Sequence, residues 1–420
     1  MPFLRFLAGC VRLVTRGGRV YWSLVAVLHV LVAIGLVAFR HQVRVGLVAT
    51  NMRDQVSWAF YVGNFTFLVG VAAAAVLLVI PAYVYHWKPI KEVVVLGELL
   101  AVSALTMCLL FIVADMGKPG RFTHIVPLLG KPNWPRSMLT WDAMVLNVYL
   151  VVNLAVVVHT LYRAYHGRDY DKRFVVPMVL FSIPMAVAIH TVTAFLYSGM
   201  VARPYWNEAI LAPRFLASAF SSGPAVMLIL FQVLRKTADF PIKDEAIWKV
   251  AELMAYAMFV NLFLQGAEIF KAYYSDSEHL LFTQYVWSGI GEHRALVPFA
   301  WVGLACSVVA FLILLVPRTR KRFWTLNVGC VLVWIGVYVE KGMGLVIAGL
   351  TPDALGEIYE YTPSLTELAV AAGVFAAGSL VFLAFVKIAI PILYGAFRAG
   401  GVVAPGGGAV PAGEAAAPEK

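Results

Sequence analysis

The sequence predicts an all-α integral membrane protein of about ten transmembrane helices, and three observations carry that expectation. Hydrophobic residues make up 61% of the chain and charged residues 13%, with a mean hydropathy of +0.81. That leaves too little polar surface to cover a soluble globule of 420 residues. The apolar residues are gathered into runs of the roughly 20 residues that a helix needs to cross a bilayer. The runs lack the strict apolar/polar alternation of a transmembrane barrel, so helices are the way to satisfy the backbone in lipid.

In chain order the predicted spans are 20–39, 58–85, 93–114, 143–162 and 174–197, then 215–234, 247–270, 295–316, 323–339 (with an extension to 350 left open) and 365–394. The first run is longer than the core of a signal peptide and lacks a small-x-small cleavage pattern, so it is expected to stay as an anchor. Residues 1–19 form a basic, cytoplasmic N-terminal segment, 20–394 the membrane domain. Residues 395–420, rich in Gly, Pro and Ala, form a cytoplasmic tail with the composition of disorder.

A formal net charge of +10 raises nucleic acid as a partner. The basic residues sit in short loops between spans instead, so their distribution speaks for topology in a lipid bilayer and against nucleic acid. Arg5, Arg12, Arg16 and Arg19, the pair Arg163 and Arg168, and the cluster Arg318, Arg320, Lys321 and Arg322 fall on one side. The positive-inside rule then puts both termini in the cytoplasm, in a multi-pass protein of the cytoplasmic (inner) membrane. The longer loops, 115–142, 199–214, 272–294 and 341–363, face the other side and offer a docking surface.

Several chemistries are disfavoured by what the sequence lacks. Cys10, Cys108, Cys306 and Cys330 are isolated with no C-x-x-C pair, so no metal centre is expected in this chain. Neither a phosphate loop nor a G-x-S-x-G elbow occurs. A b-type cytochrome needs two histidines at matching depth. His159 and His190 differ by roughly 20 Å on a count of 1.5 Å per residue, and His29 and His190 by roughly 10 Å. Haem therefore stands as an alternative, beside structural histidines hydrogen-bonded within the bundle. A secondary transporter is the other alternative: Pro177, Pro184, Gly223 and Pro224 interrupt the fifth and sixth spans.

Ionisable residues in spans are costly, and each is a functional candidate. Asp115, Asp142, His190, Glu268, Glu340, Lys341 and Glu367 lie toward the side of the long loops, and Glu98, Lys249, Glu252 and Lys387 toward the other. Asn261, Gln265, Glu268 and Lys271 are spaced by four, three and three, which places them on one helical face. Against a functional reading, Glu340, Lys341 and Lys271 could snorkel at the interface, and Asn261 and Gln265 could hold helices together. Taken together, acids on several spans with a histidine suit a reaction that moves protons.

The stretch "ADMGKPGRF", ending the third span, and "SMLTWD", opening the fourth, resemble the D-x-G-x-P-x-R-F and S-x-M-x-W-D pattern of the polysulfide reductase membrane-subunit family (NrfD/PsrC type). "IPMAVAIHTVTAFLYSGMVARPYWN" and "APRFLASAFSSGPA" extend the likeness, and "VEKGMGLVIAGL" and "YTPSLTEL" resemble the ten-helix DsrP-type branch of sulfite-reduction-associated complexes. The resemblance implies two four-helix bundles, about 58–197 and 215–350, with the first and tenth helices flanking them. It implies a quinone-binding subunit without a redox metal of its own, exchanging electrons between menaquinol and a periplasmic ferredoxin-like iron–sulfur subunit. For the DsrP branch it further implies a multihaem cytochrome c, a membrane cytochrome b and a cytoplasmic iron–sulfur subunit, in sulfur metabolism.

Quinol oxidation releases two protons, so its site needs proton acceptors and an apolar entrance. Asp142, His190 and Asp115 are the expected proton-handling residues, and Arg121, Trp141 and His29 the further quinone contacts; for His29 a purely structural role stands equally. Glu98, Glu252, Glu268 and Glu340 are candidates for a proton path between the faces.

Overall fold

The computed structural model describes residues 2–85, 87–91, 93–124, 129–238, 242–276, 279–399 and 401–402. Among them are ten helices long and apolar enough to cross a membrane. We number the main helices α1 (Pro2–Val14), α2 (Arg19–Val45), α3 (Phe60–Tyr83), α4 (Val94–Asp115), α5 (Met138–Tyr165) and α6 (Lys172–Ser198). They continue as α7 (Leu211–Thr237), α8 (Asp244–Ser275), α9 (His279–Trp287), α10 (Val297–Leu315), α11 (Phe323–Leu350) and α12 (Leu365–Leu393). All but α1 and α9 are the spans.

Polar residues set several of the boundaries. Ser137 caps α5 by accepting from the Thr140 amide, and Asp171 caps α6 by accepting from the Arg173 amide at 2.9 Å. Ser364 and Glu367 form a reciprocal capping box at the start of α12. The Ser137 cap draws "SMLTWD" into the first turns of α5, so Asp142 belongs to a helix. At the other end of that loop Asp115 is the last residue of α4. Residues 125–128 of the loop lie outside the described residues.

Two groups of four helices form the interior. α3, α4, α5 and α6 pack together, as do α7, α8, α10 and α11, and α3 and α6 join the groups by packing on α7. The flanking helices pair with each other, and α12 seats the pair on α4. In its most apolar stretch α3 is 82% buried and α2 only 6%, which makes α3 central and α2 a lipid-facing helix. We call the end bearing the 115–138, 198–211, 275–297 and 350–365 connections the loop face, and the opposite end the tail face.

Two terminal elements carry structure that the sequence reading did not assign. Residues 1–19 are mostly helical: α1 lies against the tail-face ends of α5 and α12, with Phe6 and Gly9 buried. The tail begins with ordered backbone, because Phe397–Arg398 pair antiparallel with Gly401–Val402 and Phe397 is buried. The expected disorder of residues 403–420 lies outside the described residues.

α2 and α12 meet through glycine. A Cβ on Gly35 would lie 2.6 Å from the Gly373 Cα, and one on Gly373 would lie 2.7 Å from the Gly35 Cα. Neither helix can carry a larger residue there without moving apart, as in close small-residue crossings generally. Gly373→Leu is expected to lower stability by about 1–3 kcal/mol through overpacking, read as a lower melting temperature in detergent. Gly266→Leu on α8, where a Cβ meets nothing within 4 Å, should leave it nearly unchanged.

Candidate functional site

On the loop-face side of the first bundle, α5 and α6 bring together the acid and the histidine singled out in the sequence. Asp142 is fully buried; its Oδ1 accepts from the Thr193 hydroxyl at 2.7 Å, and its Oδ2 is buried without a protein partner. His190, one turn before Thr193, is also fully buried, with Nδ1 at 2.8 Å from the Ala186 carbonyl. A carbonyl only accepts, so Nδ1 carries a proton, and in the neutral ring Nε2 is then a bare acceptor. That Nε2 has no protein partner. Asp115 likewise keeps one buried, unpartnered oxygen. Nearby, the Tyr197 hydroxyl meets Thr66 of α3 at 2.5 Å.

The remaining expected residues are dispersed. His29 lies on the exposed side of α2, and its Nδ1 donates to the Val25 carbonyl of its own helix at 2.8 Å. Arg121 is exposed in the short turn Pro119–His124. Trp141 packs on Trp134 with ring centroids 3.8 Å apart and donates to the Pro135 carbonyl at 2.8 Å, an arrangement that shapes the loop. Glu98 is buried near the tail-face end of α4, with Oε2 unpartnered. Glu252 is bound to Tyr256 and Lys249 of its own helix, its side chain 28% exposed, so it faces outward. Glu367 is occupied by the capping box and by the Tyr361 hydroxyl.

The densest charge cluster lies in the second bundle. Arg214 on α7 pairs with Glu340 on α11, Nε to Oε1 at 2.8 Å, and with Glu268 on α8. Asn261 donates to the second oxygen of Glu340 at 3.0 Å. The three charged side chains are between 6% and 10% exposed. The long 199–214 loop expected from sequence ends earlier than predicted, because α7 begins at Leu211 and places Arg214 in its first turn. Pairing is obligatory at such a depth, since an isolated ion out of water is strongly disfavoured.

A local widening of α11 positions this cluster. Tyr338–Gly344 form a π-helical turn, a feature that often marks function because it rotates side chains off the regular register. Glu340 turns toward Arg214, while its neighbour Lys341 turns toward α7 and α3. Lys341 is 3% exposed, donates to the Phe215 carbonyl at 3.2 Å and sits 4.4 Å over the Phe215 ring. Gly70 of α3 leaves room for it: a Cβ there would be 3.4 Å from Nζ. The snorkelling reading of Lys341 is thereby corrected, since α11 runs on to Leu350 and keeps this residue inside.

Beside the cluster opens a cavity of about 280 Å³. Its walls are apolar and aromatic, among them Phe60, Trp287, Phe299, Tyr338 and Tyr361, and Gln265, Glu268, Glu340 and Arg214 form its polar part. Gln265 Oε1 is buried without a protein partner. Burial pushes the phenol of Tyr205, another lining residue, up to about 12, against the pull of the Arg214 charge. Tyr205 therefore stays an O–H donor at any physiological pH. Asp142, His190 and Asp115 do not line this cavity. Asn261, Gln265 and Glu268 do share an inward face of α8, as their spacing predicts, with Lys271 exposed at its end. Helix α9, which covers the cavity with Thr283, Val286 and Trp287, falls in a stretch read from sequence as loop.

Removing the cation should be costly in a way that removing all three charges is not. Arg214→Met is expected to destabilise the protein by about 3–5 kcal/mol by stranding two buried carboxylates. Adding Glu268→Gln and Glu340→Gln to it should restore much of the loss, measured as melting temperature in detergent.

The family model for polysulphide reductase, NrfD, matches residues 48–352, a segment that takes in both bundles. A putative dimethyl sulfoxide reductase membrane subunit of Halobacterium salinarum is 27% identical, covering 85% of this chain and 88% of its own. A selenate reductase subunit of Mesobacillus selenatarsenatis is 22% identical, covering 87% and 93%. The Hdr-like menaquinol oxidoreductase integral membrane subunit of Archaeoglobus fulgidus is 22% identical, covering 88% and 93%. With ten spanning helices and this match across both bundles, the chain is an integral membrane protein belonging to the NrfD polysulphide reductase family.

Proposed function

We propose that this chain is the quinone-reactive membrane subunit of a multi-subunit oxidoreductase, with the quinone ring held in the cavity of the second bundle. The observation that carries the reading is that cavity: large, aromatic-walled, and closed at one part by buried charges and an unpartnered acceptor. Aromatic faces suit a planar ring, and the apolar wall suits an isoprenoid tail. The names of the relatives support the setting, two being subunits of reductases and a third an integral membrane subunit of a menaquinol oxidoreductase.

A bound quinol supplies two electrons and two protons. In this reading the Gln265 carbonyl accepts from a ring hydroxyl, and Tyr205 donates to a ring oxygen. Glu268 and Glu340 are the carboxylates nearest to hand for a released proton, and Arg214 keeps both oriented. Lys341, next to Glu340 in sequence and held against Phe215 and α3, stands between this cluster and the first bundle. Asp142 Oδ2 and His190 Nε2 are the free acceptors on that side. They serve as the inner proton store, with Asp115 nearer the loop face.

The chain holds its termini in the cytoplasm and its loop face toward the periplasm, following the distribution of basic residues. Electrons pass at the loop face to a ferredoxin-like iron–sulfur partner docked on the long connections. Menaquinol as the donor and a sulfur-linked pathway are the finer parts of the same proposal.

The native complex in detergent is titrated with a fluorescent quinol-analogue inhibitor, and quinol-dependent electron transfer is measured alongside. Gln265→Leu should weaken binding roughly fivefold, the loss of about 1 kcal/mol from one hydrogen bond, and Ala300→Phe, which fills the cavity wall, should abolish it. Unchanged quenching in both variants would place the ring elsewhere. Asp142→Asn and His190→Ala should keep inhibitor binding but reduce turnover; normal turnover in both removes these residues from the mechanism.

A further inference from the structure

Helix α1 is the one long amphipathic helix among the described residues that is not a span, and its surface divides unusually. At about 100° per residue, Phe6, Gly9, Cys10 and Leu13 fall on one arc, Phe3, Leu4, Leu7 and Val11 on the next, and Arg5 and Arg12 on the third. The structure gives each arc a different environment. Phe6 and Gly9 are buried, with the Phe6 ring 5.5 Å from both Tyr162 and Tyr165 of α5 and Gly9 against Phe397. Phe3, Leu4, Leu7 and Val11 are 47%, 58%, 42% and 63% exposed. Arg5 and Arg12 are exposed, as are Arg16 and Arg19 just beyond the helix.

The packing also fixes the depth of α1. Tyr162 and Tyr165 belong to the last turn of α5, and Phe397 follows the end of α12. α1 therefore lies at the level where the spans leave the apolar layer. Its 13 residues are too few to cross a bilayer. An apolar arc exposed at that level faces acyl chains, and a cationic arc beside it faces headgroups, which is the arrangement of a helix lying in the interface plane. Residues 1–53 contain no Asp or Glu, so neither α1 nor α2 carries an acid that offsets the cationic arc.

We propose that α1 is an interfacial helix that binds anionic phospholipid headgroups through Arg5, Arg12 and Arg16, with Phe3, Leu4, Leu7 and Val11 seated in the acyl boundary. Charge complementarity names the occupant: a zwitterionic lipid satisfies the apolar arc but offers the arginines no net partner. The arginines set which lipid is held, and the apolar arc sets whether lipid is held at all.

The full chain is reconstituted in vesicles of equal parts phosphatidylcholine and phosphatidylglycerol, re-extracted in mild detergent, and its retained lipid is counted by headgroup. The wild type should retain phosphatidylglycerol in preference. Arg5→Gln/Arg12→Gln/Arg16→Gln should reduce that preference about fivefold or more, in line with the contribution of each basic residue near an anionic surface. Leu4→Ser/Leu7→Ser/Val11→Ser should lower the retention of both lipids together. An unaltered headgroup ratio in the arginine variant, or no preference in the wild type, overturns the proposal. If the triple variant does not fold, Arg12→Gln alone is read against the same two outcomes.

Discussion

Arg214 holds its charge buried inside the loop-face end of a helical bundle, where it persists only because two carboxylates from two other helices meet it. That constraint organises the second bundle. α7 must start early enough to put Arg214 inside, α8 must turn its polar face inward, and α11 must widen at Tyr338–Gly344 to deliver Glu340. The same turn sets Lys341 against Phe215, the next residue of α7, and close to α3. One irregular turn therefore addresses the interior of one bundle and the seam between both. A cavity beside the triad follows from the same geometry, since three side chains committed to each other leave the space between α8, α10 and α11 to be lined by aromatic residues.

The ionisable groups of the first bundle are satisfied differently from the Arg214 triad. Asp142, His190 and Asp115 each keep one polar atom unmatched, while Thr193 and the Ala186 carbonyl satisfy the rest of the first two. Buried polar atoms are almost always paired, so several orphans on neighbouring helices indicate groups kept ready to accept a proton or a hydrogen bond. Saturated charges on one side of Lys341 and unsaturated ones on the other make the two halves chemically complementary.

Much of this was legible in the sequence, and the reasons are specific. Runs of apolar residues identified all ten spans because hydropathy reports directly on length in lipid. The spacing of Asn261, Gln265 and Glu268 identified an inward face because a regular helix keeps its period. The charge triad itself was not legible, because it joins residues 54 and 126 positions away from Arg214 and depends on a turn that breaks the period. Gly342 and Gly344 close to Glu340–Lys341 were the available hint. Helix α9 was missed because nine residues give too little periodicity to stand out from a loop. That His29 and Arg121 are exposed was not legible either, because hydropathy shows that a residue is in or near the membrane, not which way it faces.

The glycine crossing of α2 with α12 has a consequence for how the protein is made. Of the ten described spans α2 is made first and α12 last, yet each is the other's main neighbour. Between those two moments every helix of both bundles is inserted and can find its partners. α2 tolerates the wait because its surface is already suited to lipid. The completed pair then lies outside both bundles like a clasp, fastened only after both bundles are made, and a chain stopped short of α12 would display the bare glycine seam of α2 to the quality-control machinery of the membrane.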